Sequence, residues 1–238
     1  MAATKLGNPE WAQFLEASSE DDMKSAGTRT ILFVALCAAL LLPAWAARAA
    51  AQTKPLIGNL SAAKSLGSPS APITIEVFAD FQCPQCRLFY LTTTQQLLDN
   101  YVSTGKVYLV HHDFPLNMHS HSHEAAEWAN AAAAAGKFEA AEKALYEQQD
   151  TWGPTGQIEQ VLAAALSPAD MKKIREIHTT QLAAIDASIE ADMALGNSRN
   201  VNGTPTIFVT HRGQRTMLPQ GGVNYDLLKQ YLDYLLQH

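Results

Sequence analysis

Pro72-Ile73-Thr74-Ile75-Glu76-Val77-Phe78-Ala79-Asp80-Phe81-Gln82-Cys83-Pro84-Gln85-Cys86 is the stretch whose reading decides the fold. Its first nine residues are rich in β-branched and aromatic types, which predicts a central strand. Phe81-Gln82 makes a short turn. From Pro84 to about Val102 the pattern becomes helical, with Leu88, Leu91, Leu98 and Val102 near one stripe and Gly105 beyond its end. Val107 to His112 predicts a second strand. Strand, helix and strand in this order imply a parallel pair with a right-handed crossover.

Cys83 and Cys86 sit where strand gives way to helix. With Pro84 as the first helical residue, Cys83 becomes the N-cap and Cys86 the third residue of the first turn. A sulfur at the N-cap faces the amides of Gln85 and Cys86 and the positive end of the helix dipole, and both favour thiolate over thiol. The dipole alone supplies about 0.3–2 kcal/mol, too little for a shift of several pKa units. Amide hydrogen bonds and the dipeptide Pro84-Gln85 must add the remainder, and neutral Gln85 brings no cationic help. Cys83 is therefore expected to be acidified, though less than in the strongest oxidants. Cys86, one turn deeper, is expected to be the less exposed, resolving thiol.

A structural disulfide and a metal site are the alternatives. A Cys-x-x-Cys bridge closes a very small loop and staples little. Zinc prefers four ligands, so His would have to complete the shell. Redox chemistry is the favoured reading.

Further along, residues 122–200 read helical almost throughout, with breaks at Gly136 and at Trp152-Gly153-Pro154. Ser167-Pro168 caps a long helix reaching about Leu195. Thr206–Thr210 and Arg215–Leu218 predict a hairpin around Arg212-Gly213-Gln214. Gly221-Gly222 precedes a last helix, Asn224 to Leu236. The outline is β-α-β, a helical insertion, then β-β-α. Five His fall in a short span: His111, His112, His119, His121 and His123. Such a group suits a transition metal, but the spacing lacks a rigid metal-site pattern, so no metal site is assigned. A polar edge of the insertion beside the cysteines is expected instead. The alanine run from Ala125 to Ala135 reads as tight helix packing.

Ile31 to Leu42 is an uncharged run of 12 residues preceded by Lys24 and Arg29 and followed by Pro43 and alanines. At about 1.5 Å per residue it falls short of the ~30 Å hydrocarbon core. Its flanks, with small-x-small sites at Ala44-Trp45-Ala46 and Ala49-Ala50-Ala51, predict a secretory signal peptide or an uncleaved membrane anchor. Translation from Met23 gives a signal of ordinary proportions. Cys37 lies inside the run and would leave with a cleaved signal. The expected organisation is a tail and signal or anchor over 1–51, a linker over 52–71, an α/β domain over 72–117 and 201–238, and an inserted helical subdomain over 118–200. The whole chain is 238 residues, 47% hydrophobic and 17% charged, with a formal net charge of -6. That balance excludes a disordered, collagen-like or polytopic membrane protein and argues against nucleic acid as a partner.

Ala79-Asp80-Phe81-Gln82-Cys83-Pro84-Gln85-Cys86 resembles the active-site segment of DsbA-like thiol–disulfide oxidoreductases of the thioredoxin superfamily. Gly67 to Ile75 is similar to their lead-in, His112-Asp113-Phe114-Pro115-Leu116 to the segment after their second strand, and Gly203-Thr204-Pro205-Thr206 to their cis-proline loop. The resemblance covers roughly residues 65–237 and implies a thioredoxin-like α/β fold with a helical insertion. It implies that Cys83 and Cys86 are catalytic, that Pro84 and Gln85 tune them, and that Thr204 and cis Pro205 bind extended cysteine-containing protein substrates. It also implies a dithiol oxidase needing no organic cofactor, reoxidised by a quinone-linked membrane thiol oxidase. A reductase or isomerase of the same fold, or a Cys/His metal-binding protein, is the alternative. Two positions depart from the pattern. Val77 stands where many thioredoxin-like proteins bury an acid, and strand alternation turns Glu76 to the other sheet face. Gln85 is the other departure. Asp80, three before Cys83, is expected to shape the loop.

Overall fold

The computed structural model describes residues 58–219 and 223–238. The expected signal or anchor, Met23, Cys37 and Gly221-Gly222 lie outside the described residues. A short helix α1 (Leu60–Ala63) leads into β1 (Ser65–Leu66) and β2 (Ile73–Ala79). Helix α2 (Pro84–Phe89) continues through a π turn (Tyr90–Thr94), an α turn (Gln95–Leu97) and a second π turn (Leu98–Val102), and β3 (Val107–Asp113) follows. The insertion consists of α3 (Ser122–Ala134), α4 (Phe138–Glu147), α5 (Gln149–Trp152), α6 (Ile158–Ala165) and α7 (Pro168–Ser198). Strands β4 (Thr206–His211) and β5 (Gln214–Met217) and helix α8 (Tyr225–Gln237) complete the chain.

The sheet order is β1-β3-β2-β4-β5. Strands β2 and β3 are parallel, whereas β1 runs antiparallel to β3 and β4 to both β2 and β5. The β4–β5 hairpin turns on Arg212 (φ 49°) and Gly213 (φ 78°), a two-residue turn with both positions left-handed. Ser167 caps α7 by accepting from the Asp170 amide, and Pro168 opens it. Along β2, Ile73, Ile75, Val77 and Ala79 face one layer of helices while Glu76 and Phe78 face the other, as the period of two requires.

Three sequence expectations need correction. The linker assigned to 52–71 already belongs to the fold from residue 60: β1 pairs with β3, and Lys64 is only 1% exposed. Its polar composition hid a buried ion-pair partner. The helical stripe was misplaced, since Leu88 and Leu91 are exposed and Leu98 and Val102 only partly buried. The buried line is Cys86, Phe89, Tyr90, Thr93, Leu97 and Tyr101. Steps of four residues drift off a 3.6-residue helix, and the two π turns absorb that drift. Finally, the insertion has no separate core. Ala125, Ala129, Leu145, Trp152 and Ile174 join Ile73, Ile75 and Leu109 in one buried cluster, and all described residues belong to one compact unit.

A second small cluster of Phe78, Phe114, Val201 and Phe208 fills the opposite face of the sheet. Helix α7 passes over it at Gly196, where a Cβ would meet the Phe114 ring at 2.7 Å. That close approach is why a glycine stands there.

Candidate active site

Cys83 is the N-cap of α2 with extended backbone (φ -72°, ψ 123°), and Pro84 occupies the first turn. The loop before it is organised by Asp80. One carboxylate oxygen accepts from the Gln82 amide (2.7 Å), the other from the Leu116 amide (2.9 Å) and pairs with His119 Nδ1 (2.6 Å). The Asp80 carbonyl accepts from the Cys83 amide at 3.1 Å. Asp80 therefore shapes the loop, as its position suggested.

The insertion grips the same loop from the other side. Gln149 of α5, itself buried, donates through Nε2 to the carbonyls of Phe81 (2.7 Å) and Cys83 (3.1 Å). Gln82 donates to the Gly153 carbonyl (2.8 Å) and accepts from the His121 amide (2.7 Å). Neither glutamine was singled out for this from sequence: Gln149 lies 66 residues from Cys83, and no local pattern marks it. Replacing Gln149 by Ala leaves the Phe81 carbonyl without its donor and the Cys83 carbonyl with the Arg87 amide alone, at a cost of about 1–3 kcal/mol if the Phe81 carbonyl stays buried. We expect Gln149→Ala to lower the urea midpoint and to move the pH at which Cys83 is alkylated, whereas an equally destabilising change in α6 should leave that pH in place.

Cys83 and Cys86 carry free thiols, at 6% and 2% exposure. The order matches expectation, but Cys83 is far less open than a surface nucleophile. The carbonyl of Thr204 lies 3.4 Å from its Sγ and accepts from the thiol. The Thr204–Pro205 peptide bond is cis, and the loop before β4 holds Thr204 beside the cysteines. The Cys83 thiol is pulled from its ordinary value near 9 to about 5. The Cys86 thiol is the first cause and outweighs burial, which opposes the shift; the Thr204 side chain and the amides of Cys86 and Gln85 add to it. The N-cap hydrogen bond itself is not closed, so the neighbouring sulfur, more than the helix amides, sets this acidity. That reverses the weighting expected from sequence. Burial and the adjacent Cys83 push the Cys86 thiol well above its ordinary range.

Of the five His, His119 and His121 do meet the loop before Cys83, but the other histidines do not all join them. His111 and His112 lie on β3 and are buried. His111 bonds Glu142 (3.1 Å) and Asp113 (3.2 Å), and His112 bonds Asp192 (2.8 Å) and Glu76 (3.2 Å). Their position in a strand buried on both faces leaves carboxylates as their only neutralising partners. Lys64 completes the network between Asp113 and Asp192, the latter at 2.7 Å. Glu76 indeed faces away from the cysteines, held by His112 and Arg199, and its carboxyl is lowered to about 2 despite burial.

A dithiol split into an acidic and a buried member, at the start of a helix and beside a cis-proline loop, defines a protein of the thioredoxin class. The comparisons agree. A family model described as thioredoxin matches residues 60–232. BdbD from Bacillus subtilis, in its oxidised crystal structure, superposes with a TM-score of 0.59 at 21% identity, over 74% of this chain and 93% of that one. A thioredoxin-like oxidoreductase from Silicibacter pomeroyi DSS-3 gives 0.59 at 25% identity, over 78% and 95%. The probable disulfide bond formation protein D of Bacillus cereus is 40% identical over 55 residues, which is 23% of this chain and 26% of that protein. The match thus spans about a quarter of that curated relative. The chain belongs to the thioredoxin family.

Proposed function

We propose that this chain is an exported dithiol oxidase that introduces disulfides into cysteine-containing proteins. Cys83 and Cys86 are its catalytic pair, Pro84 and Gln85 tune them, and Thr204 and Pro205 bind an extended client segment. With the pair oxidised, a client thiolate attacks Cys83 Sγ; the Cys83–Cys86 bond breaks, and Cys86 leaves and takes a proton. A second client thiolate attacks the client sulfur of the mixed disulfide, and Cys83 leaves as thiolate. Two electrons have then passed from client to enzyme, and a quinone-linked membrane thiol oxidase returns the enzyme to its disulfide form.

The observation that carries this reading is the contrast between the two sulfurs. An acidified Cys83 is a good leaving group, so the mixed disulfide resolves toward an oxidised client. The Thr204 carbonyl, 3.4 Å from Cys83 Sγ, loses that donor once Cys83 is ionised or oxidised and can pair with a client amide as a short strand addition. Among the described residues no helix is long and apolar enough to cross a membrane; export rests on the apolar run Ile31–Leu42 behind Lys24 and Arg29.

A glutathione redox titration tests the direction of electron flow. A potential near or above about -150 mV is the expected result, and one below about -250 mV assigns the chain to the reductases instead.

A further inference from the structure

We propose that His123, Glu127 and Asp186 bind one zinc-type divalent cation in the groove between α3 and α7. His123 and Glu127 stand one turn apart on α3, with Nδ1 and Oε1 3.0 Å apart. Asp186 reaches them from α7, and one ligand atom from each of the three lies within 4.8 Å of the others.

Three observations support a cation site. Oδ1 of Asp186 is buried and has no hydrogen-bond partner, which is costly for a carboxylate oxygen. Among the described residues neither Glu127 nor Asp186 pairs with a Lys or Arg, so two neighbouring carboxylates repel each other with only imidazoles between them. The second oxygen of Glu127 is also held in place, bonded by His178 Nε2 at 3.3 Å. The His178 ring is in turn stacked on Trp128, with centroids 4.1 Å apart and planes 7° from parallel. A carboxylate oriented by an outer histidine that is itself packed rigidly is the usual surrounding of a metal ligand.

The donor set selects the ion. One imidazole nitrogen with two carboxylates suits zinc and its neighbours, whereas calcium and magnesium favour all-oxygen shells. The His123 side chain is 45% exposed, so the fourth position opens to water. Bound there, the ion ties α3 to the second half of α7, beyond the kink at Gln181 (φ -122°, ψ 15°). The site uses neither cysteine and stands whether or not the oxidase reading holds.

The test is calorimetric titration with zinc chloride of the full-length oxidised protein carrying Cys37→Ser, so that no thiol is left to bind metal. One equivalent is expected to bind, with about tenfold or greater weakening in both His123→Ala and Asp186→Asn. Zinc should also raise the melting temperature of the wild-type protein, a readout independent of how the variants fold. Cobalt(II) should give visible absorption bands that disappear in His123→Ala. No binding at micromolar zinc, binding indifferent to both substitutions, or displacement of zinc by an equal concentration of calcium overturns the proposal.

Discussion

On titrating the reduced protein, thiolate absorbance is expected to rise in one step near pH 5, from Cys83, with no contribution from Cys86 below pH 9. Because the Cys86 thiol is the leading influence lowering Cys83, Cys86→Ala should move the step upward, toward the ordinary thiol range. Replacing Gln85 should move it far less, since only the Gln85 amide contributes and the amide survives substitution. Cys83→Ser and Cys86→Ala should both reduce client oxidation to the uncatalysed background, since neither can form the Cys83–Cys86 disulfide, and only Cys86→Ala, offered a client that already carries a disulfide, should hold it as a mixed disulfide through Cys83. If the Cys83 step stays near pH 5 in Cys86→Ala, the sulfur-to-sulfur account of its acidity is wrong and the helix amides regain first place.

The same ionisation links acidity to stability. An unfolded thiol titrates near 8.5, whereas Cys83 in the folded reduced protein titrates near 5. Between those values the unfolded state holds a proton that the folded state has lost, so the contribution is present in full above about pH 8.5 and disappears as pH falls through about 5. The disulfide form has no such group. Reduced protein should therefore have the higher urea midpoint at pH 8, and the gap should shrink at pH 4.5. A disulfide form that is the more stable at pH 8 contradicts both the acidity and the oxidase direction.

The largest loss of stability is expected from Lys64→Met. Lys64 is buried against Asp113 and Asp192, and their charges raise its pKa although burial opposes this. Asp113 also accepts from Asn130 (2.7 Å), and the Asp192 carboxylate accepts from the Asp113 amide (3.1 Å). Removing the ammonium leaves Asp113 and Asp192 with only His111 and His112, which Glu142 and Glu76 also claim, and breaking a buried ion pair in this way typically costs about 3–5 kcal/mol. Lys64→Met should therefore unfold at far lower urea than wild type, and a change below about 1 kcal/mol would show that the carboxylates find another counter-charge.

This network also sets an unusual pH profile. His111 is raised to about 9 even though burial pulls it down, because Asp113 and Glu142 bond it. A raised histidine contributes stability in full below its unfolded value near 6.5 and loses it as pH climbs through about 9. His112 is raised in the same sense by Asp192 and Glu76. The carboxylates run the other way: Glu76, Asp113 and Asp192 are lowered, so their contribution is present above about pH 4.5 and lost in acid. In the oxidised protein, which lacks the Cys83 ionisation, urea midpoints should peak between about pH 4.5 and 6.5, and for His111 the decline toward pH 9 amounts to about 3 kcal/mol.

Much of this architecture was legible locally. Ile73–Ala79 announces its strand by β-branched residues, Pro84 and Pro168 mark helix starts, and Arg212-Gly213 marks the hairpin. Each of those signals acts within a few residues, where backbone preference decides. The placement of Cys83 at an N-cap and Cys86 one turn deeper followed from the same local rules, and so did the outward turn of Glu76. Local rules failed where four-residue spacing met a wider helical turn: Leu88 and Leu91 looked like core and are exposed.

By itself, then, the sequence determined which segments are strand or helix and which two sulfurs start a helix, because those outcomes depend on neighbours in the chain. Only the tertiary structure decided how acidic Cys83 becomes, what Lys64 neutralises and what Gln149 holds. Lys64 meets Asp192 across 128 positions and Gln149 meets Cys83 across 66. Charge pairing, burial and hydrogen bonding act through space, so residues that are unremarkable in the chain acquire their energetics only when folding brings them together.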